Sequence, residues 1–343
     1  MTRVDGNSGF SNESWQFRRH LSEPFVAALE KATHSQSWWQ EVLSDRDVIV
    51  ALRNEYINVY YRGQSLFNVG FSDGRILATT HPKYLIDPSL NGQVRLIEDQ
   101  EGGKAFDVSS LKDTMLTGWY DGALQRLKKA AAYFSGPEKS GCHAASAGRD
   151  DILDVEIAFK RDTNLASEID EGRRQIPRID LLRLVRVGDD RAALEFWEAK
   201  AFGNTELGSM GYRAGDDTSV HDIEREVIAQ IADYRHILTE NAEAVVSSYS
   251  AACQQLARIY GQAERFGPRS IIGEVAGGQR KLQISADGKP KVNLLLFGFD
   301  DAQKARSRGS FNDLKRKVHQ LGGGKLRAIG NAKSAFGKDG VAL

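Results

Sequence analysis

Cysteine is nearly missing from this chain. Cys142 and Cys253 are the only two in 343 residues, too few for a disulfide scaffold and without the CxxC spacing of a zinc site. The seven histidines are scattered with no HxxxH or HExxH pair, which removes the remaining common zinc patterns. Long apolar runs are missing too. The opening MTRVDGNSGFSNESW has no apolar core of a signal peptide, and nowhere do about 18 apolar residues run together as a spanning helix requires. A reducing cytoplasmic setting and no membrane partner are expected. Nor is there an excess of one charge: 46 Lys and Arg balance 46 Asp and Glu, so any anionic ligand has to be held by a local patch. With 41% hydrophobic and 27% charged residues and only 7 prolines, the composition is that of a folded globular chain. Its length favours two domains.

In the N-terminal half, Phe25, Leu29 and Ala32 recur at helical spacing after Pro24, and Trp38, Trp39, Val42 and Leu43 continue the apolar face. A helix over Ser11–Ser44 is expected. From Asp47 the period changes. DVIVALR, YINVYYR, SLFNVGF and RILATTH are separated by short turn segments, which predicts an antiparallel meander. Leu111–Phe134 reads as helix, with Leu116, Leu124, Leu127 and Ala131 on one side, and Gly136-Pro137 stops it. Residues 136–150 are small, polar and glycine-rich, the composition of a linker or long surface loop. The division is therefore 1–135, an N-terminal α+β domain of unassigned role, and 150–343. Tyr60, Tyr61, Arg62 and Lys83 combine aromatics with cations, as nucleic-acid surfaces do. Packing on a sheet face is the more common use of such tyrosines.

After residue 150, ILDVEIAF (152–159), RIDLLRLVRV (178–187) and AALEFWEAKAF (192–202) read as consecutive strands. A long helix is expected over Val220–Tyr260, then a strand VNLLLFGF (292–299), a basic helix around 302–320 and a last strand KLRAIG (325–330). Antiparallel strands followed by strands reached through helices predict a mixed sheet in an α/β layered domain.

The chemistry-bearing residues sit on those strands. Glu198 and Lys200 are two apart near the end of an apolar strand and so share a face, and Asp180 on the preceding strand can reach the same spot. Two carboxylates are a donor set for Mg²⁺ or Mn²⁺, and an adjacent ammonium can orient or deprotonate a water. An acid-x-Lys triplet also occurs at Asp287-Gly288-Lys289 and Asp313-Leu314-Lys315. The first of these lies in a turn and the second in a basic helix, so only Glu198-Ala199-Lys200 has a buried-strand setting. Gln230 and Tyr234, four apart on a helix, share its face.

Pro177, Asp180, Glu198 and Lys200, followed about thirty residues later by Gln230 and Tyr234, resemble the PD-(D/E)XK nuclease superfamily, in its branch with a QxxxY helix seen in RecB-type nucleases. The resemblance covers roughly 150–343 and implies a restriction-endonuclease-like fold, a mixed sheet flanked by helices. It implies Asp180 and Glu198 as metal ligands, with the Ala199 carbonyl as a third, and Lys200 as the catalytic lysine. Gln230 and Tyr234 would hold substrate phosphate or the metal-bound water. Many members carry a further acidic residue on a helix before the first strand. That stretch here reads as linker, with only Glu138 available, so Asp154 or Glu156 would substitute. Glu156 is the preferred further ligand, a salt-bridged strand carboxylate being its alternative.

Other patterns fail. Gly322-Gly323-Gly324-Lys325 lacks the Ser/Thr and glycine spacing of a phosphate loop, Gly277–Lys281 lacks a strand-to-helix setting, and His221 and His236 read as solvated or capping residues. The last forty or so residues are basic: Lys304, Arg306, Arg308, Lys315, Arg316, Lys317, Lys325, Arg327, Lys333 and Lys338 face only Asp313 and Asp339. Such a patch can track phosphates, or simply form a solvated face. Together these features predict a Mg²⁺- or Mn²⁺-dependent nuclease acting on DNA, with a 5′-phosphate product implied by the resemblance. Restriction, phage defence, repair and mobile elements are all open as its setting. RNA cleavage and a non-catalytic nucleic-acid-binding module are the alternatives, and a homo-oligomer is open.

Overall fold

The computed structural model describes residues 15–34, 38–85, 96–98, 104–106, 122–161, 177–208, 226–261 and 264–337. The expected helical stretches 111–121 and 220–225, with His221, Lys338 and Asp339, lie outside them.

The single helix expected over 11–44 is divided. Trp15–Gln16 is a short strand (β1), and α1 (Glu23–Thr33) and α2 (Trp38–Ser44) follow. Pro24 opens α1 because the first turn has no intrahelical use for its missing N–H, and Phe25, Val26 and Leu29 form its buried face. The meander is as expected. β2 (Ile49–Leu52), β3 (Ile57–Tyr61), β4 (Gln64–Ser72) and β5 (Arg75–Thr79) pair antiparallel in that order. β6 (Leu96–Glu98) and β7 (Lys104–Phe106) form a separate pair, and α3 spans Ala123–Tyr133.

The stretch read as a linker is a helix. α4 (Pro137–Ser146) again starts with proline in its first turn, and its small residues serve packing rather than flexibility. A Cβ at Gly141 would collide with the Phe297 ring, so glycine lets α4 lie directly on the sheet.

That sheet contains β8 (Ile152–Ala158), β10 (Arg178–Val187) and β11 (Arg191–Ala201) as antiparallel neighbours. β9 (Lys160–Arg161) leaves it to pair with β1. The expected long helix is two, α5 (Glu226–Glu240) and α6 (Ala242–Tyr260), because the Asn241 side chain donates to the Ile237 carbonyl at 2.8 Å and ends the first. α7 (Ile271–Ala276) and β12 (Lys281–Gln283) had no clear periodic signal and were not anticipated. β13 (Val292–Phe297) and β14 (Leu326–Ile329) add parallel to β11. The expected basic helix is broken at Ser307 into α8 (Asp301–Arg306) and α9 (Arg308–Gln320). The strand order is β14-β13-β11-β10-β8, with β12 beside the start of β11: a mixed α/β sheet.

Contacts cross the expected division at 136–150. One continuous set of buried side chains runs from Phe17, Leu21 and Leu66 to Leu182, Phe196, Tyr249 and Val318. Asp154 of β8 is fully buried and accepts from Arg53 Nη1 at 2.7 Å, Arg19 Nε at 2.9 Å and the Tyr249 hydroxyl at 2.8 Å. Among the described residues no helix is long and apolar enough to cross a membrane.

Candidate functional site

The register of β10 on β11 builds the site. Leu181 pairs with Trp197 and Leu182 with Phe196, so one step further Asp180 stands level with Glu198. Such cross-strand neighbours have Cβ atoms about 4.5–5.5 Å apart. On the other side β10 pairs Leu181 with Val155 and Ile179 with Ile157, which brings Glu156 level with Asp180. Glu156, Asp180 and Glu198 thus form a row of carboxylates across β8, β10 and β11. The Ala199 amide donates to Asp180 Oδ2 at 2.8 Å and fixes that carboxylate to β11.

Lys200 is the centre of the ion pairs. Its Nζ lies 2.8 Å from Glu198 Oε1, 2.5 Å from Glu206 Oε2 and 3.9 Å from Glu138 Oε1. Glu206 is brought in by the turn after β11, where the Asn204 side chain accepts from the Glu206 amide at 2.8 Å. Asn204 Nδ2 also donates to Glu138 Oε2 at 2.5 Å, tying that turn to α4. Neither Glu206 nor Asn204 was among the expected site residues. The Asn-Thr-Glu sequence just after the strand was their only signal. Glu138 leaves little signal of its own, because its helix has the composition of a linker.

Burial and charge work against each other here. Burial of Lys200 favours the neutral amine, yet Glu198, Glu206 and Glu138 together hold its pKa above the ordinary lysine value. The ammonium therefore keeps its proton and is a poor base. The Asp180 carboxyl is pushed up to about 7, first by burial, with the Glu156 and Glu138 charges adding to it and the Ala199 N–H and Lys200 opposing. Glu198 is also raised well above the carboxylate range, by burial and then by Asp180. Its Oε2 is buried with no hydrogen-bond partner. Carboxyl groups thus outnumber cations around Lys200, and a buried oxygen lacks a donor.

The remaining expected residues divide. Tyr234 is brought to the site: burial raises its phenol pKa, and the Glu198 and Asp180 charges raise it further. Gln230 lies one turn earlier on α5, its Oε1 buried without a partner, and α5 packs against the turn that carries Glu206. Glu156 lies in the left-handed region at φ 52° and forms a salt bridge with Arg178 Nη1 at 2.9 Å. It is therefore engaged elsewhere, although it remains on the wall of the site. Asp154, the other substitute considered, is taken up by Arg19 and Arg53, which hold its carboxyl below the usual range despite complete burial. Cys142 Sγ approaches the Asp180 carbonyl at 4.0 Å, and burial plus the surrounding carboxylates push its thiol up, away from a thiolate nucleophile.

The site opens into a cleft of about 100 Å³ lined by Tyr60 and Gly63 of the meander, Glu138 and Cys142 of α4, and Glu156 and Asp180. The N-terminal segment supplies one wall. Hard carboxylate oxygens, with Glu198 Oε2 unsatisfied, suit a divalent cation such as Mg²⁺ or Mn²⁺. Among the described residues, however, no three His, Cys, Asp or Glu side chains form a ready-made ligand cage. Lys200 and Arg178 engage oxygens that such a cage would use.

In the basic C-terminal segment, Asp313 pairs with Arg316 at 2.7 Å and Lys317 at 3.7 Å, and Lys325 lies 3.8 Å from Glu195. Asp287 accepts from Ser285 and Lys289 within its turn, and exposed His236 pairs with Glu240 at 3.3 Å. No family model, curated protein or solved structure matches the chain.

Proposed function

We propose that this chain is a divalent-cation-dependent nuclease of the restriction-endonuclease-like fold, hydrolysing phosphodiester bonds in DNA. The observation that carries the reading is the excess of carboxyl groups around buried Lys200, two of which, Asp180 and Glu138, line an open cleft, with Glu198 Oε2 buried and unpartnered. Asp180 and Glu198 would hold Mg²⁺ or Mn²⁺, and a cation there supplies Lewis-acid polarisation of the scissile phosphate. Glu156 would join them only by releasing Arg178. Lys200, kept protonated by its neighbours, stabilises charge that builds on the attacked phosphate and does not take a proton from water. Glu138, on the cleft wall, would orient the attacking water. Tyr234, with its phenol proton firmly held, donates to a phosphate oxygen, and Gln230 assists from the same helix face. The order Asp180, Glu198, Lys200, Gln230, Tyr234 and the mixed sheet agree with the resemblance noted above, which also implies a 5′-phosphate product.

One observation favours a second reading, a nucleic-acid-binding module that keeps the fold without catalysis: Lys200 already neutralises Glu198 and Glu206, and no ligand cage is preformed among the described residues. Incubation with single- and double-stranded DNA and RNA, in Mg²⁺, Mn²⁺ or EDTA, separates the two. Cation-dependent cleavage of DNA supports the nuclease. Cleavage of RNA alone moves the substrate to RNA, and binding without cleavage in any divalent ion supports the module.

A further inference from the structure

The wall of the cleft continues outward into a patch that the catalytic reading does not use. Tyr133 and Phe134, at the end of α3, are 70% and 40% exposed, and with Leu77 they are the exposed large hydrophobic side chains among the described residues. Their rings stand edge to face, 5.5 Å apart at 84°. One cation lies against Phe134, and another stands on the neighbouring hairpin tip. Lys83 Nζ lies 4.9 Å from the centroids of both Phe134 and Tyr84, and the exposed Arg62 guanidinium lies 5.6 Å from the Tyr61 ring.

The patch is held in shape from beneath. Buried Gln64 donates to the Phe134 carbonyl at 3.2 Å and accepts from Lys83 at 3.1 Å and the Tyr84 hydroxyl at 3.0 Å. Ser135 Oγ donates to the Arg62 carbonyl at 2.7 Å, fixing the β3–β4 hairpin tip to the junction of α3 and α4. That tip is one of two places in the meander where a long side chain takes positive φ, Glu55 of the β2–β3 turn being the other. The β3–β4 and β4–β5 turns each put two residues at positive φ, and the β4–β5 turn uses Asp73-Gly74, the type of pair such turns favour. The β3–β4 turn instead places an arginine, Arg62 at φ 48°, where most side chains are disfavoured. Its neighbour Gly63 lets the Lys139 side chain pack against the tip, since a Cβ there would stand 2.7 Å from the Lys139 Cβ, and Gly63 and Lys139 both line the cleft that contains Asp180.

We infer that Tyr133, Phe134, Lys83 and Arg62 form a platform that stacks the bases and grips the phosphates of an unpaired DNA strand and leads it over Gly63 and Lys139 to Asp180. This rests on the proposed function and specifies its substrate as single-stranded. Exposed ring faces beside cations suit unstacked bases, whereas a duplex hides its base faces.

The test is fluorescence anisotropy with the full chain in EDTA, using a labelled oligothymidylate and a hairpin duplex of equal length. The wild-type chain should bind oligothymidylate about tenfold or more tightly than duplex. Tyr133→Leu with Phe134→Leu keeps apolar bulk but removes both ring faces, and should weaken oligothymidylate binding by about 5–150-fold per stacked base. Tyr133→Leu alone, at the more exposed position, should show part of the loss even if the double variant folds poorly. Arg62→Gly suits the turn and should reduce the salt slope by about 0.7. Wild-type affinity in the leucine variants, or equal binding of duplex, would overturn the platform, and tighter binding of oligouridylate would overturn the choice of DNA. If cation-dependent cleavage survives but ring-dependent binding is absent, the platform alone fails. If ring-dependent binding is present without cleavage, the nuclease reading alone fails.

Discussion

Two buried charge clusters lie on adjacent strands of the same sheet, and they are built to opposite ends. Around Asp154, two guanidinium groups and a tyrosine hydroxyl complete one carboxylate, and its pKa falls despite full burial. Around Lys200, Asp180, Glu198, Glu206 and Glu138 crowd one ammonium, the pKa values of Asp180 and Glu198 rise, and Glu198 Oε2 is left without a donor. A satisfied network rigidifies, while an unsatisfied one beside an open cleft is poised to take up a ligand. The first cluster joins the N-terminal segment to the sheet, and the second is where chemistry is expected.

The largest expected effect lies in the second cluster. Lys200→Ala should lower cation-dependent cleavage by about 10²–10³-fold with little change in DNA affinity, the range for a group that stabilises transition-state charge, measured as single-turnover rates beside binding in EDTA. Asp180→Asn should abolish cleavage yet leave the fold intact. The counterpart in the first cluster, Asp154→Asn, leaves Arg19 and Arg53 buried without a counter-charge and should cost about 3–5 kcal/mol in urea unfolding. Equal destabilisation by the two Asp→Asn changes would erase the contrast.

The pH dependence should carry opposite signs. Asp154, with its lowered pKa, contributes stability that is present above the ordinary aspartate value of 3.8 and lost as pH falls through the folded value. Asp180, raised from 3.8 to about 7, contributes stability that is full below 3.8 and lost as pH rises through about 7. In EDTA the melting temperature should therefore rise through the acid range and decline toward pH 8. Mg²⁺ or Mn²⁺ should reverse that decline, by about 2.7 kcal/mol at a hundredfold excess over Kd, and more at pH 8 than at pH 5. Asp180→Asn should weaken both the decline and the cation effect.

The smallest effect concerns how the second cluster is assembled. Gly141→Ala pushes α4 off the Phe297 ring and should destabilise by about 1–3 kcal/mol. It should also reduce cleavage through displaced Glu138, with the Asp154 cluster unaltered. A calorimetric scan and a cleavage rate on one preparation would check both.

How much of this was legible follows from the kind of signal each residue leaves. β8, β10, β11 and β13 are short apolar runs rich in β-formers, and two-residue periodicity is enough to put Glu198 and Lys200 on one face. The meander announced itself through closely spaced turns. α4 did not, because the small residues that let a helix lie against a sheet are also the residues of linkers, and Glu138 was discounted with it. Glu206 is positioned by a local turn of Asn204, which has no period to read. Asp154 and Glu156 look alike in sequence. Only the partners separate them, and Arg19 and Arg53 come from far along the chain.

That distance bears on the order of synthesis. Arg19 and Arg53 meet Asp154 across 135 and 101 residues, and a chain made from its N-terminus produces both guanidinium groups long before β8. Until residue 154 is available, the meander lacks the carboxylate that its buried arginines require, so its final seating waits for β8. Contacts of such separation also make for slow closure. A pulse-labelled nascent chain arrested before residue 154 should therefore be open to protease at the Arg19 and Arg53 segments, and one arrested well beyond Tyr249 should be protected.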